Sequence, residues 1–257
     1  MKTLLTTPLP PEYDWESNVQ TNDETSKLMA KVWPRYLIEK SDIEEPQEPT
    51  SLSDEELSTR FRLWGIRRKS DAKLVAFASA VLISVDSKAA SYSNDGWRFA
   101  LNAYYRGGKV TCICLLSANV DPEFRSLKFS YALIQAAKEI ATLLNLSCVL
   151  APVRPTQKSQ FPYMPIAEYL AKRSGSGEIF DPWLRTHKKL GGEILNICTE
   201  SVIVKASLNK WQEWLGLTVL PSSFIPEMGL VPVSVDQQKN LGIYSEPNVW
   251  VRYKIGH

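Results

Sequence analysis

Residues 112–130 set an anion-sized loop against the start of a helix. An apolar strand, Cys112-Ile113-Cys114-Leu115-Leu116-Ser117-Ala118-Asn119-Val120, runs through Asp121-Pro122-Glu123-Phe124-Arg125-Ser126-Leu127-Lys128 into an amphipathic helix opening with Phe129 and Ser130. The first N–H groups of a helix lack intrahelical partners and carry the positive end of its macrodipole, so such a junction can hold a phosphate or pyrophosphate. Arg125, Ser126, Lys128, Phe129 and Ser130, approached through Val120, are the candidate anion-binding residues. An ordinary connection between a strand and a helix reads the same way.

A second group is Phe180-Asp181-Pro182-Trp183-Leu184-Arg185-Thr186-His187. Asp181 suits an N-cap with Pro182 at the first helical position, and Gly191-Gly192 stops the helix. Arg185 either reaches a phosphate or acidic acceptor or is solvated surface, and Trp183 stands beside it as a substrate contact. His187 is one of two histidines, the other being His257. Its unperturbed pKa near 6.5 suits a base that takes a proton from an ammonium at neutral pH, and a lone helical histidine equally suits a structural role. Between the two groups, residues 151–165 are rich in proline with basic and aromatic residues interleaved. Phe161 and Tyr163 there are either a wall for an acceptor or acyl chain, or part of a stiff connector.

Other chemistries lack their residues. There is no Gly-x-Ser-x-Gly elbow for a serine nucleophile. Cys112, Cys114, Cys148 and Cys198 fall in apolar runs whose spacing matches neither a metal site nor a disulfide framework, so they read as buried thiols in a reducing compartment. No metal site is expected. A net charge of +2 gives no electrostatic footprint for nucleic acid or anionic membrane. No apolar run reaches the length of a membrane span, and the N-terminus lacks a long apolar stretch, so the expectation is a cytoplasmic protein.

The surrounding elements follow from capping and periodicity. Residues 1–60 carry thirteen Asp and Glu against six Lys and Arg, which suits a solvated helical face and a loop. Asn22 can cap a helix bearing Leu28, Met29, Val32 and Trp33, Pro34 interrupts it, and Ser41–Thr50 reads as a loop. Ser53 and Glu56 form a capping box for a second helix. Residues 61–67 and 74–85 are a hairpin, whereas 86–108 show no clear period and read as an insertion. After the anion loop, Phe129, Leu133, Ala136, Ala137, Ile140 and Leu144 line one helical face. Then come a strand at 146–153, a short helix at 166–173, the Asp181 helix, a strand hairpin at 193–198 and 201–206, a helix at 208–217, and a strand-like tail.

The phrase Val120, Pro122, Glu123, Phe124, Arg125 before a helix resembles motif A of the GNAT superfamily of acyl-CoA-dependent N-acyltransferases. That loop usually reads Arg/Gln-x-x-Gly-x-Gly/Ala; Lys128 and Ser130 stand at its two small positions here. The element order is also that of the GNAT fold. The resemblance covers roughly residues 20–215 and implies an α/β domain with a mixed central sheet, splayed at its fourth and fifth strands and flanked by helices. It divides the chain into an N-terminal arm (1–20), the acyltransferase domain (21–217) and a C-terminal extension packed on it (218–257).

Several roles follow from the resemblance alone. The pantetheine arm of an acyl-CoA would lie between the splayed strands, and the backbone near Asn119 and Val120 would donate to the thioester carbonyl. A tyrosine, with Tyr163 as candidate, would protonate the departing thiolate, and His187 is the candidate base. The reaction is direct attack by an amine, of a small molecule or a peptide, with neither metal nor covalent enzyme intermediate. The insertion and aromatic loop suggest a longer acyl chain, or a peptide or secondary-metabolite acceptor. The alternatives are transfer from an acyl-carrier protein, and a catalytically silent binding module in which Lys128 marks the loss of CoA binding.

Overall fold

Two capping boxes start the first long helices. Asn22 accepts from the Thr25 N–H while Thr25 accepts from the Asn22 N–H, and Ser53 and Glu56 exchange the same pair of bonds. The computed structural model describes residues 5–43, 50 and 52–256. The start of the expected N-terminal arm, most of the expected Ser41–Thr50 loop and His257 lie outside the described residues.

In chain order the elements are β1 (Tyr13–Glu16), α1 (Asp23–Val32), α2 (Arg35–Ile38), α3 (Asp54–Arg60), β2 (Phe61–Arg68), β3 (Leu74–Ile83), α4 (Gly96–Arg106) and β4 (Cys112–Val120). A 3-10 turn (Pro122–Leu127) then leads into α5 (Phe129–Leu143), β5 (Cys148–Val153), α6 (Ile166–Ala171), α7 (Pro182–Lys189), β6 (Glu193–Ser207), α8 (Leu208–Leu215), β7 (Ser223–Phe224), β8 (Val233–Asp236) and β9 (Leu241–Lys254).

The strands form one mixed sheet in the order β1-β2-β3-β4-β5-β9-β8-β7, with β6 also on β9. β4 and β5 pair in parallel and the other pairs are antiparallel. Side chains alternate across a strand, so each face has its own core. On one face α5 and α7 bring Leu133, Ile134, Ala137 and Leu184 onto Ile113, Val149, Val251 and Tyr253. On the other, α4 brings Ala100 and Ala103 onto Cys114, Leu150 and Trp250, and Leu28 of α1 covers Phe77. Burying each large apolar side chain contributes about 1.5–3 kcal/mol, which is what holds the helices to the sheet.

Four expectations are corrected. The stretch 86–108 contains α4, whose buried Gly96, Ala100, Ala103 and Tyr104 do follow a helical spacing, hidden by the Ser- and Asn-rich residues before it. The expected hairpin at 193–206 is the single strand β6, with register shifts between Ile194 and Ile197 and between Cys198 and Val202; both halves find one long partner in β9. The expected C-terminal extension is no appendage, because β9 sits inside the sheet between β5 and β6, so a boundary at 217 would cut the core. Cys112 and Cys148 are joined as a disulfide across β4 and β5, leaving Cys114 and Cys198 as buried thiols. Among the described residues no helix is long and apolar enough to cross a membrane.

Candidate active site

β4 and β5 hold register only over Cys112↔Cys148, Ile113↔Val149 and Cys114↔Leu150. β4 continues to Val120, while β5 continues to Val153 against β9, so the two strands part after Cys114. At the same level β3 and β4 slip. Ser79 faces Ser117 but Ala80 faces Leu115, which leaves Leu116 as the extra residue of a β-bulge. A bulge re-aims the side chains beyond it, and one residue of slip exchanges the two faces of a strand. Were Leu116 to take a regular place in the alternation, Ser117 and Asn119 would face α5; because it is the extra residue of the bulge, they share the face of Cys112 and Cys114. The β5-side backbone groups of β4 beyond the bulge are left without a strand partner.

Across the parted ends runs a chain of polar side chains. The Ser79 and Ser117 hydroxyls are 2.7 Å apart. Asn119, buried, donates from Nδ2 to Ser117 Oγ at 2.9 Å and accepts at Oδ1 from the Trp33 indole N–H at 2.6 Å. The Arg154 guanidinium, on the residue after β5, lies 5.7 Å from the centre of the Trp33 ring. Trp33 therefore spans the opening from the end of β4 to the end of β5. Arg154 Nε is 3.0 Å from both oxygens of buried Glu246, which also accept from Tyr244 Oη at 2.7 Å and Asn248 Nδ2 at 3.2 Å. Asn248 accepts in turn from Ser201, whose hydroxyl receives the Trp97 N–H. Burial, then the Glu246 charge, pushes the Tyr244 phenol well above its usual range, so it stays protonated and donates.

The edge of β9 explains why these groups meet. β5 covers 249–254 and β8 covers 241–243 on the same edge, which leaves Tyr244 to Asn248 open there. Residues 226–231 cross that gap, held by their backbone. Tyr36 Oη donates to Glu227 O, Arg154 Nη2 to Met228 O, and Lys158 Nζ to Leu230 O, while Tyr244 Oη receives the Leu230 N–H.

The anion loop begins at Asp121, buried at the end of β4, which caps the 3-10 turn by accepting from the Glu123 N–H. Burial alone would raise the Asp121 carboxyl. Hydrogen bonds from Lys31, the Glu123 N–H and Lys73 outweigh it and hold the carboxyl below its ordinary value. Lys128 takes φ 56° and ψ 29°, the left-handed conformation that favours glycine. Its side chain points to solvent, as do those of Arg125 and Ser126, around the N-terminus of α5. Phe129 is buried with its ring 4.8 Å from that of Tyr13, so only its backbone is available to a ligand. Ser130 and Val120 are half-buried.

No family model matches the chain. It is 27% identical to the arginine N-acetyltransferase avaD of Aspergillus versicolor over 96% of each chain. In fold it is similar to the loading GNATL domain of CurA from Lyngbya majuscula, with a TM-score of 0.57 and 16% identity over 95% of this chain and 98% of that one. The GphF GNAT-like decarboxylase in complex with isobutyryl-CoA superposes with a TM-score of 0.56 at 16% identity, over 95% of this chain and all of that one. The fold is that of GNAT-type proteins.

The residues singled out in the sequence do not come together as one site. Asn119 belongs to the polar chain at the strand opening. His187 lies on the opposite face of the sheet, buried between α7 and β9, with Nδ1 2.6 Å from Tyr253 Oη and no partner for Nε2. Burial pushes its pKa from 6.5 down to about 3, so it is neutral, weakly basic and on the face away from the strand opening. Tyr163 is 78% exposed and makes no side-chain hydrogen bond among the described residues. Arg185 donates to the Ile179 and Phe180 carbonyls, Trp183 packs against His187, and Phe161 packs against Tyr169 and Phe180. These aromatic and basic residues brace the connector rather than line the opening. Asp181 is the expected cap, and its other oxygen accepts from Tyr169 and the Gln157 N–H.

The depressed His187 pKa has a measurable consequence. Between pH 6.5 and about 3 the unfolded chain binds a proton at this residue and the native chain does not. Stability is therefore complete above pH 6.5 and falls by about 1.4 kcal/mol per unit as the medium is acidified through that window. Replacing His187 with Gln, which can still bond Tyr253, should remove one proton's worth of slope from urea melts taken across it. An unchanged slope would show that His187 titrates normally.

Trp33, Ser117, Arg154, Tyr244 and Glu246 were not among the expected site residues. Trp33 reads as the apolar face of α1, and Arg154 as part of a basic, proline-rich connector. Glu246 gives a local signal, the one carboxylate in β9, but its partner is remote in sequence.

Proposed function

We propose that this chain transfers an acyl group from an acyl-CoA thioester to an amine by direct nucleophilic attack at the opening between β4 and β5. The observation that carries the reading is the Leu116 bulge, placed where β4–β5 pairing ends. The unpaired β4 edge offers backbone partners to an extended pantetheine arm, and an N–H there can stabilise charge developing on the thioester oxygen. The bulge moves that donor to the stretch Leu116–Ala118, earlier than Asn119 and Val120. In this reading Arg125, Ser126 and Lys128, with the N–H groups of Phe129 and Ser130, receive the CoA phosphates, a role that the exposure of the three side chains around the start of α5 supports. Lys128 takes the left-handed backbone that favours glycine, the residue the family's loop usually carries there, and its side chain is exposed, which favours a cation near phosphate over an obstruction.

An amine acceptor accords with the named activity of the Aspergillus relative. Native mass spectrometry against acyl-CoA thioesters from acetyl to palmitoyl, followed by assay of thiol release with an amine panel, tests the reading. Retention of one chain-length class, weakened at least tenfold in Arg125→Ala, is expected. Retention of none, with no thiol release, would point to carrier-protein donors or to a silent fold.

A further inference from the structure

We propose that Arg154 is the receptor for a carboxylate carried by one of the two reactants, bound at the Nη1 edge of its guanidinium above the Trp33 ring. The inference rests on the acyl-transfer reading of the strand opening and adds a specificity for what enters it. Three of the guanidinium's faces are spoken for or blocked: Nε is on Glu246, Nη2 donates to Met228 O at 2.6 Å, and one planar face lies toward Trp33. Nη1 makes no hydrogen bond among the described residues, yet it is not one of the fully buried unpaired nitrogens. It is the point at which a side chain only 11% exposed still reaches solvent. A guanidinium so fixed has lost its conformational freedom before any ligand arrives, and Arg suits a planar carboxylate better than any other cation does.

The neighbouring charged groups are already answered. Arg154, half-buried, and Lys158, buried, donate to the backbone of residues 226–231, and the buried Glu246 pairs with Arg154. Lys158 Nζ is answered by the carbonyls of Phe161 and Leu230, at 2.7 Å each, and by no anion. The Glu246 oxygens are already engaged by Arg154, Tyr244 and Asn248, so Glu246 is a positioning residue for Arg154 and a poor proton acceptor. The carboxylate comes either from the acceptor, as the α-carboxylate of an amino acid, or from a dicarboxylic acyl group on the donor.

The test is a paired comparison on the intact chain. The L-amino acids and their carboxamides are offered with acetyl-CoA, and malonyl-CoA is compared with acetyl-CoA, by thiol release and by calorimetric binding. In wild type, the carboxamide is expected to raise KM or Kd for the preferred amino acid 10- to 100-fold with little change in kcat. Arg154→Gln should bind acid and amide equally weakly, and Arg154→Lys should restore part of the preference. Discrimination between malonyl- and acetyl-CoA, lost in Arg154→Gln, would place the carboxylate on the donor. If wild type distinguishes neither pair, or if folded Arg154→Gln keeps the preference, the proposal is wrong. Thiol release with uncharged amines but no discrimination would sink the Arg154 assignment and leave acyl transfer standing; calorimetric discrimination without thiol release would do the reverse.

Discussion

Glu246→Ala is expected to lower stability by about 3–5 kcal/mol, because it leaves the Arg154 guanidinium in a desolvated site without its counter-ion. Tyr244 and Asn248 lose their acceptor at the same time. The Coulombic partner is more expensive to lose alone than together with its mate, since replacing both ions of a buried pair with apolar groups is often neutral or stabilising. The double variant Arg154→Met with Glu246→Leu should therefore recover most of the loss in urea melts. Recovery of stability without recovery of turnover would separate the ion pair's service to the reaction from its service to the fold. A double variant as unstable as the single one would show that the pair contributes packing that methionine and leucine do not replace.

The second large effect is expected at the cross-strand disulfide. Cys112 and Cys148 are 36 residues apart in sequence, and a bridge closing a loop of that size restricts the unfolded chain by an amount worth about 2–4 kcal/mol. Cys148→Ser, or reduction of the wild type, should lower stability by that much. Thiol titration in denaturant should find two reactive groups before reduction and four after. Four before reduction would return Cys112 to the thiol state that its strand-like setting suggests. Because the bridge sits at the first register of β4–β5 pairing, the closed end of the opening is its place of action, and reduction should also loosen acyl-CoA retention.

What could be read in the sequence were the features whose physics is local. The Asn22 and Ser53 capping boxes, the hairpin of β2 and β3, the amphipathic face of α5 and the Asp181 cap all follow from residues within a few positions of one another. The strand–turn–helix junction at residues 112–143 was legible because the apolar run, Pro122 and the amphipathic face of α5 all lie within it. The bulge was not, since nothing in Leu115-Leu116-Ser117 says that β3 will skip Leu116; that is decided by the partner strand. Arg154, Trp33 and Glu246 meet only once β5, the end of α1 and β9 have assembled. The burial of His187 has the same origin, since it depends on Tyr253 of β9, which lies 66 residues further along the chain.

The position of β9 within the sheet bears on how the protein is made. β5 presents its outer edge from Cys148 to Val153, yet the segment that covers it begins only at Leu241. During synthesis the emerging chain must carry an apolar, unpaired strand edge until the C-terminal part has been translated, and such edges recruit other strands. Pairings this remote in sequence also form slowly. Yield of soluble protein should therefore depend on chaperone supply and growth temperature more than native stability would suggest, and chains released before Leu241 should enter inclusion bodies.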